Sequence, residues 1–194
     1  MKLSHVLYKV KHLKRAVDKF RKMGFEVEYG KKENPYNALI YFSEGAYLEL
    51  FESSGMPSTA KVLFRLFGKG GFVKRLDYFD RASEGLLDIS IENNKTHFYE
   101  EQKILDTYSK KYFIIRSKRI DTKDRRLQMK CLFPYDLSIP FLMNYFNIDP
   151  KPKNFIHPNG VKKIRSIGLK TNEMGHVITK KLMETNEIIL KNTG

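Results

Sequence analysis

Apolar positions recur along this chain at two spacings, two residues in short runs and three to four between them. Leu3 to Val10 (LSHVLYKV) predicts a strand, with His5 on the face of Leu3 and Leu7. Leu13, Ala16, Val17, Phe20 and Met23 then follow helical spacing as far as Gly24, a residue suited to ending a helix. Phe25 to Tyr29 predicts a short strand, and residues 30–36 form a loop containing Pro35. Asn37 to Phe51 reads as a hairpin, because Ser43-Glu44-Gly45 punctuates two apolar runs and glycine is free to take a positive φ. The order is β-α-β-β-β.

A second unit repeats that order at the level of pattern. Gly85 to Ile91 predicts a strand and His97 to Tyr108 a helix. Tyr112 to Ile120 and Leu127 to Phe133 form a long hairpin, and Ile139 to Phe146 supplies the last strand, with Pro140 near its start. Between the units, Thr59 to Phe67 and Gly71 to Phe79 read as two short amphipathic helices that link them or cover a pocket. After Pro150 and Pro152 come a strand (Ile164 to Lys170), a helix (Glu173 to Glu184) and a short strand (Glu187 to Leu190), the opening of a third unit. The expected division is therefore 1–52, a helical linker over 53–84, a second module over 85–148 and a partial βαβ unit over 149–194.

Within the first hairpin, Tyr47, Glu49 and Phe51 share one strand face. Glu49 is thus a carboxylate among apolar neighbours. An acidic residue on a half-exposed strand ordinarily faces water; a buried one needs a cation, a donor or a solvated cavity.

Composition changes this picture little. The 194 residues, 41% hydrophobic and 13% aromatic, suffice for a sizeable core. No apolar run approaches the roughly 20 residues of a membrane span, and the start carries no secretory pattern. The single Cys131 allows no intrachain disulfide, which fits a reducing cytosol and a cytoplasmic location. Thirty-six Lys and Arg against 22 Asp and Glu give a net charge of +14, but the cations are spread and no basic nucleic-acid motif accompanies them. Nucleic acid is the least favoured partner; a lysine-heavy bacterial genome would give the same bias. Neither a nucleophile elbow nor a phosphate-binding glycine loop is present. Arg116, Arg119, Arg125 and Arg126 crowd the second hairpin, where they could grip an anionic ligand or form a charged edge that resists aggregation.

In order and spacing, Ser4-His5-Val6, Lys22-Met23-Gly24-Phe25, Asn37-Ala-Leu-Ile, Tyr47-Leu-Glu49-Leu, Ile139-Pro-Phe-Leu142 and His157-Pro-Asn-Gly160 resemble the vicinal oxygen chelate superfamily and its glyoxalase-like domain family. The resemblance implies an α+β fold in which paired βαβββ modules curl into a cup. It also implies a divalent metal (Zn, Ni, Mn or Fe) held by a His on strand one and a Glu on strand four of each module. Here it assigns His5 and Glu49 as ligands, with Glu49 also available as a catalytic base. The second module departs, offering Leu87 or Asp88 and then Asn144; Asp88 is the candidate third ligand. Asn37, Tyr47, Asn144 and Arg119 are the candidate substrate-binding residues. Lyase, ring-cleaving dioxygenase and drug-sequestering binder all occur on such a scaffold. The expected protein is a glyoxalase-like one with a degenerate metal site, and the alternative is a metal-free small-molecule binder; either could be a homodimer.

Overall fold

The computed structural model describes residues 1–153, 155–183 and 189–192. The first module comprises β1 (Lys2–Lys9), α1 (Leu13–Lys22), β2 (Glu28–Tyr29), β3 (Asn37–Ile40) and β4 (Tyr47–Phe51). Two helices follow, α2 (Ser58–Leu66) and α3 (Gly70–Arg81). The second module is β5 (Gly85–Asn93), α4 (Tyr99–Thr107), β6 (Tyr112–Ile120), β7 (Arg126–Pro134) and β8 (Phe141–Asn144), and β9 (Gly168–Thr171), α5 (Glu173–Leu182) and β10 (Ile189–Asn192) end the chain. The expected strand at Glu187 to Leu190 lies partly outside the described residues.

Eight strands form one mixed sheet in the order β2-β3-β4-β1-β5-β8-β7-β6. Each module pairs its first strand with its fourth in parallel, and the modules join where β1 runs antiparallel to β5. Reading outward from that seam, both halves present the same sequence of strands. β9 and β10 make a separate parallel pair.

The helices divide between the two faces. Leu13 and Val17 of α1 are buried with Val27, Ala38, Ile40 and Leu50, and Phe20 packs partly against them. Met23 lies beyond the end of α1 and is 53% exposed, so it drops out of the expected apolar face. Leu105 of α4 and Ile178 and Leu182 of α5 cover Val6, Ile89, Ile91 and Leu142. The opposite, concave face meets α3, whose Phe72, Leu76 and Phe79 pack with Leu7, Phe51 and Phe141. Of the two helices read as linking the units or covering a pocket, α3 packs over the concave face.

One strand expectation changes. The register of β1 against β5 shifts between Leu3 and His5, and Leu3 packs with Val6 rather than with Leu7. A bulge offsets the two-residue alternation by one position. His5 and Leu7 keep the concave face.

Candidate functional site

The concave face encloses a cavity of about 270 Å3, walled largely by Leu7, Phe51, Phe79, Phe133, Phe141 and Met143. Into this apolar space project His5 from β1, Tyr47 and Glu49 from β4, Asn37 from β3 and Arg119 from β6. The parallel register of β1 and β4 sets His5 opposite Tyr47 and Leu7 opposite Glu49, so the imidazole and the carboxylate share a face two residues apart.

Their contacts are specific. His5 Nε2 lies 3.5 Å from Glu49 Oε2, and its ring stacks on Tyr47 with centroids 4.7 Å apart. His5 Nδ1 is 3.2 Å from the Ser4 hydroxyl oxygen. Asn37 Nδ2 donates to Glu49 Oε1 at 2.8 Å.

Burial dominates the electrostatics. It drives the His5 pKa down to about 3, with the positive charge of Arg119 adding to the effect, so the imidazole is neutral at ordinary pH. Burial also raises the Glu49 pKa, against the opposing pulls of the Asn37 hydrogen bond and Arg119. A neutral imidazole can face either state of Glu49: its Nε2–H can donate to the carboxylate, or Nε2 can accept from the carboxylic acid. The tautomer of His5 therefore follows the proton on Glu49. The thiol of Cys131, also at the cavity wall, is pushed up to about 12 by burial and stays protonated.

The second module does not mirror this arrangement. Asp88 on β5 is engaged elsewhere: its Oδ2 lies 2.9 Å from Nη1 of Arg75, and its Oδ1 accepts the Ile89 N–H at 2.8 Å. Burial still pushes Asp88 up to about 6, with Arg75 and the Ile89 N–H pulling it back. Arg75, fully buried in α3, also donates to the carbonyls of Pro134, Asp136 and Ile139. On β8 the cup-facing side chains are Phe141 and Met143, neither of which offers an oxygen or nitrogen. Asn144 comes one residue after Met143 and lines a separate hollow beside Lys130, whose N–H its Oδ1 accepts. The alternation of β8 thus carries Asn144 away from the place its sequence position suggested.

Among the described residues no group of three or more His, Cys, Asp or Glu side chains comes together as a metal cage. The fold family implies four donors. Here His5 and Glu49 supply two, Asp88 is bound to Arg75, and an apolar side chain stands where β8 would supply another. This donor set does not fit the four-ligand centre.

Other histidines lie apart from the cup. His12 is exposed, while His97 and His176 are half-buried. His157 is buried against Phe25 and Phe42, its Nδ1 accepting the Glu26 N–H at 3.0 Å, and it anchors the turn that ends at Gly160. Arg125 is paired with Asp121 at 2.7 Å, and Arg116 and Arg126 stand exposed.

Residues 3–183 match the protein family described as a glyoxalase-like domain. The chain belongs to the glyoxalase-like domain family. Comparison with curated protein sequences finds no match. Among solved structures, this glyoxalase-like chain is similar to a methylmalonyl-CoA epimerase in complex with methylmalonyl-CoA and NH4+. They are 14% identical, with 78% of this chain and 98% of that chain covered and a TM-score of 0.44. A glutamate-to-glutamine variant of the Streptomyces coelicolor methylmalonyl-CoA epimerase is 15% identical over 74% of this chain and 95% of that one, with a TM-score of 0.44. A glyoxalase I mutant from Zea mays is 14% identical over 94% of this chain and 56% of that one, with a TM-score of 0.39. No helix among the described residues is long and apolar enough to cross a membrane.

Arg75 and Gly30 are not among the residues singled out in the sequence, and Phe141 is so only as part of Ile139-Pro-Phe-Leu142. Arg75 had a signal: Phe72, Leu76 and Phe79 form a helical stripe, and a residue three after Phe72 and four before Phe79 falls on the same buried face. Gly30 had none, because the closeness of Asn37 and Arg119 to it is a tertiary fact.

Proposed function

We propose that the protein binds a small organic molecule in the cup without a resident divalent metal. The carrying observation is the Arg75–Asp88 pair at 2.9 Å. The carboxylate that would complete a third ligand position is neutralised by a fully buried guanidinium, itself held by three backbone carbonyls. Releasing Asp88 to a metal would strand that guanidinium in the core, a cost of several kcal/mol. Phe141 and Met143 add apolar wall where donors would be needed.

What remains has the character of a ligand pocket: apolar walls and a few convergent polar groups. Asn37, Tyr47 and Arg119 supply the orienting contacts, and Glu49 beside His5 can give or take a proton at the bound molecule. The test is metal retention. Protein incubated with Zn, Ni, Mn or Fe(II) and then desalted should hold far less than one ion per chain. Stoichiometric retention that His5→Ala or Glu49→Gln abolishes would overturn the reading.

A further inference from the structure

The charges around the cup do not balance. Its lining includes Arg119, Arg116 and Lys118 against a single acid, Glu49, whose ionisation burial disfavours. Among the described residues those three cations form no ion pair. Arg119 is the inward one. It follows Ile115 and Ser117 along one face of β6, and its charge acts on His5, Tyr41, Tyr47 and Glu49 together. Its guanidinium lies over the Phe146 ring, 5.4 Å from the centroid. Its hydrogen bonding is not saturated: Nη1 donates to the Gly30 carbonyl at 3.3 Å and the guanidinium also bonds the Tyr41 hydroxyl, but the buried Nε has no partner. A half-buried guanidinium with no ion pair and an unpartnered Nε calls for an acceptor.

One wall of the cup is aromatic. Phe133 and Phe141 stack nearly parallel, with centroids 5.1 Å apart and an interplanar angle of 13°, and Phe79 and Phe51 extend that wall. Flat apolar groups pack well against such faces.

We propose that the ligand is an organic acid, with a flat apolar body lying among the phenyl rings and a single carboxylate held by Arg119. Guanidinium suits a carboxylate because both are planar and can share two hydrogen bonds. The volume of about 270 Å3 limits the body to a small ring system. This rests on the reading of the cup as a small-molecule site.

The test uses three isosteric probes, 2-naphthoate, neutral 2-naphthamide and a 2-naphthylmethylammonium salt, titrated calorimetrically into the full chain. The His5 ring proton, followed by NMR, reports whether the probe is inside the cup. Naphthoate should bind about tenfold or more tighter than the amide, shift the His5 signal and lose its advantage in Arg119→Met. The ammonium compound should bind weakest. Arg119→Lys should retain part of the preference, which separates loss of charge from loss of fold. Equal binding of acid and amide, with the His5 signal shifted by both, would overturn the acid assignment and leave the cup reading standing. Naphthoate binding that leaves His5 unmoved would place it on the basic exterior and overturn the assignment. Failure of all three probes to bind would overturn both.

Discussion

Arg75 reaches across from α3 to put Nη1 2.9 Å from Oδ2 of Asp88, closing the second module's half of the cup with an ion pair. Both side chains are buried, so each charge depends on the other and on backbone groups for its solvation. Arg75→Met should lower stability by about 3–5 kcal/mol in urea unfolding, because it leaves a buried carboxylate unpaired. Arg75→Met combined with Asp88→Leu should recover part of the loss. A single-variant cost below about 1 kcal/mol would show that water reaches Asp88 and that the pair does not fix it.

His5 should make stability depend on pH with a definite sign. Its folded pKa of about 3 lies below the ordinary 6.5, so between these values the unfolded chain binds a proton that the folded chain does not. Stability therefore falls as pH drops through that window, by up to about 1.4 kcal/mol per pH unit from this group. In His5→Gln the contribution disappears, and the gap between wild type and variant should change steadily from pH 7 to pH 4. Parallel curves would mean that His5 is solvated in the folded state.

Gly30 should prove sensitive although its backbone avoids the left-handed region. A Cβ there would overlap Oδ1 of Asn37 and crowd Nη1 of Arg119. Gly30→Ala should cost about 1–3 kcal/mol and break the hydrogen bond from Asn37 to Glu49. Since that bond lowers the Glu49 pKa, the carboxyl should titrate higher in the variant, as carbon-detected NMR can show. A loss within about 0.5 kcal/mol and an unmoved Glu49 would refute the packing argument.

Glu49 should oppose the binding of an acid. A carboxylate bound near Glu49 makes its ionisation harder still, so binding takes up a proton and weakens as pH rises through the Glu49 pKa. Glu49→Gln removes that repulsion while keeping an acceptor for Asn37. The variant should bind 2-naphthoate at least as tightly as wild type, with a flatter pH profile. Weaker binding and an unchanged profile would show that the acid does not approach Glu49.

Much of the architecture was legible because it rests on short-range pattern. The alternation through Tyr47, Glu49 and Phe51 placed all three at the cup, and the helical spacing of Leu13 and Val17 placed α1 on the sheet. The pairing of His5 with Glu49 comes from the family resemblance and not from periodicity; the two lie on parallel neighbouring strands of one module. The second module resisted for two physical reasons. Its last strand, β8, turns Phe141 and Met143 to the cup and, by the two-residue alternation, Asn144 to the other face, whereas the resemblance matches Asn144 by its place in the family's strand four and not by its face. The fate of Asp88 depends on Arg75, which approaches from a helix roofing the cup, and no strand periodicity encodes that contact. Leu3 was misplaced by the bulge before His5, which the run LSHVLYKV does not reveal.

The most direct measurement follows the His5 ring proton while chelator-treated protein is titrated with 2-naphthoate, first alone and then with added Zn or Mn. A metal-independent cup predicts a saturable shift of His5 in the chelator-treated protein, with the same midpoint after metal is added. A His5 signal that stays fixed without metal and moves only once Zn or Mn is present would contradict the account.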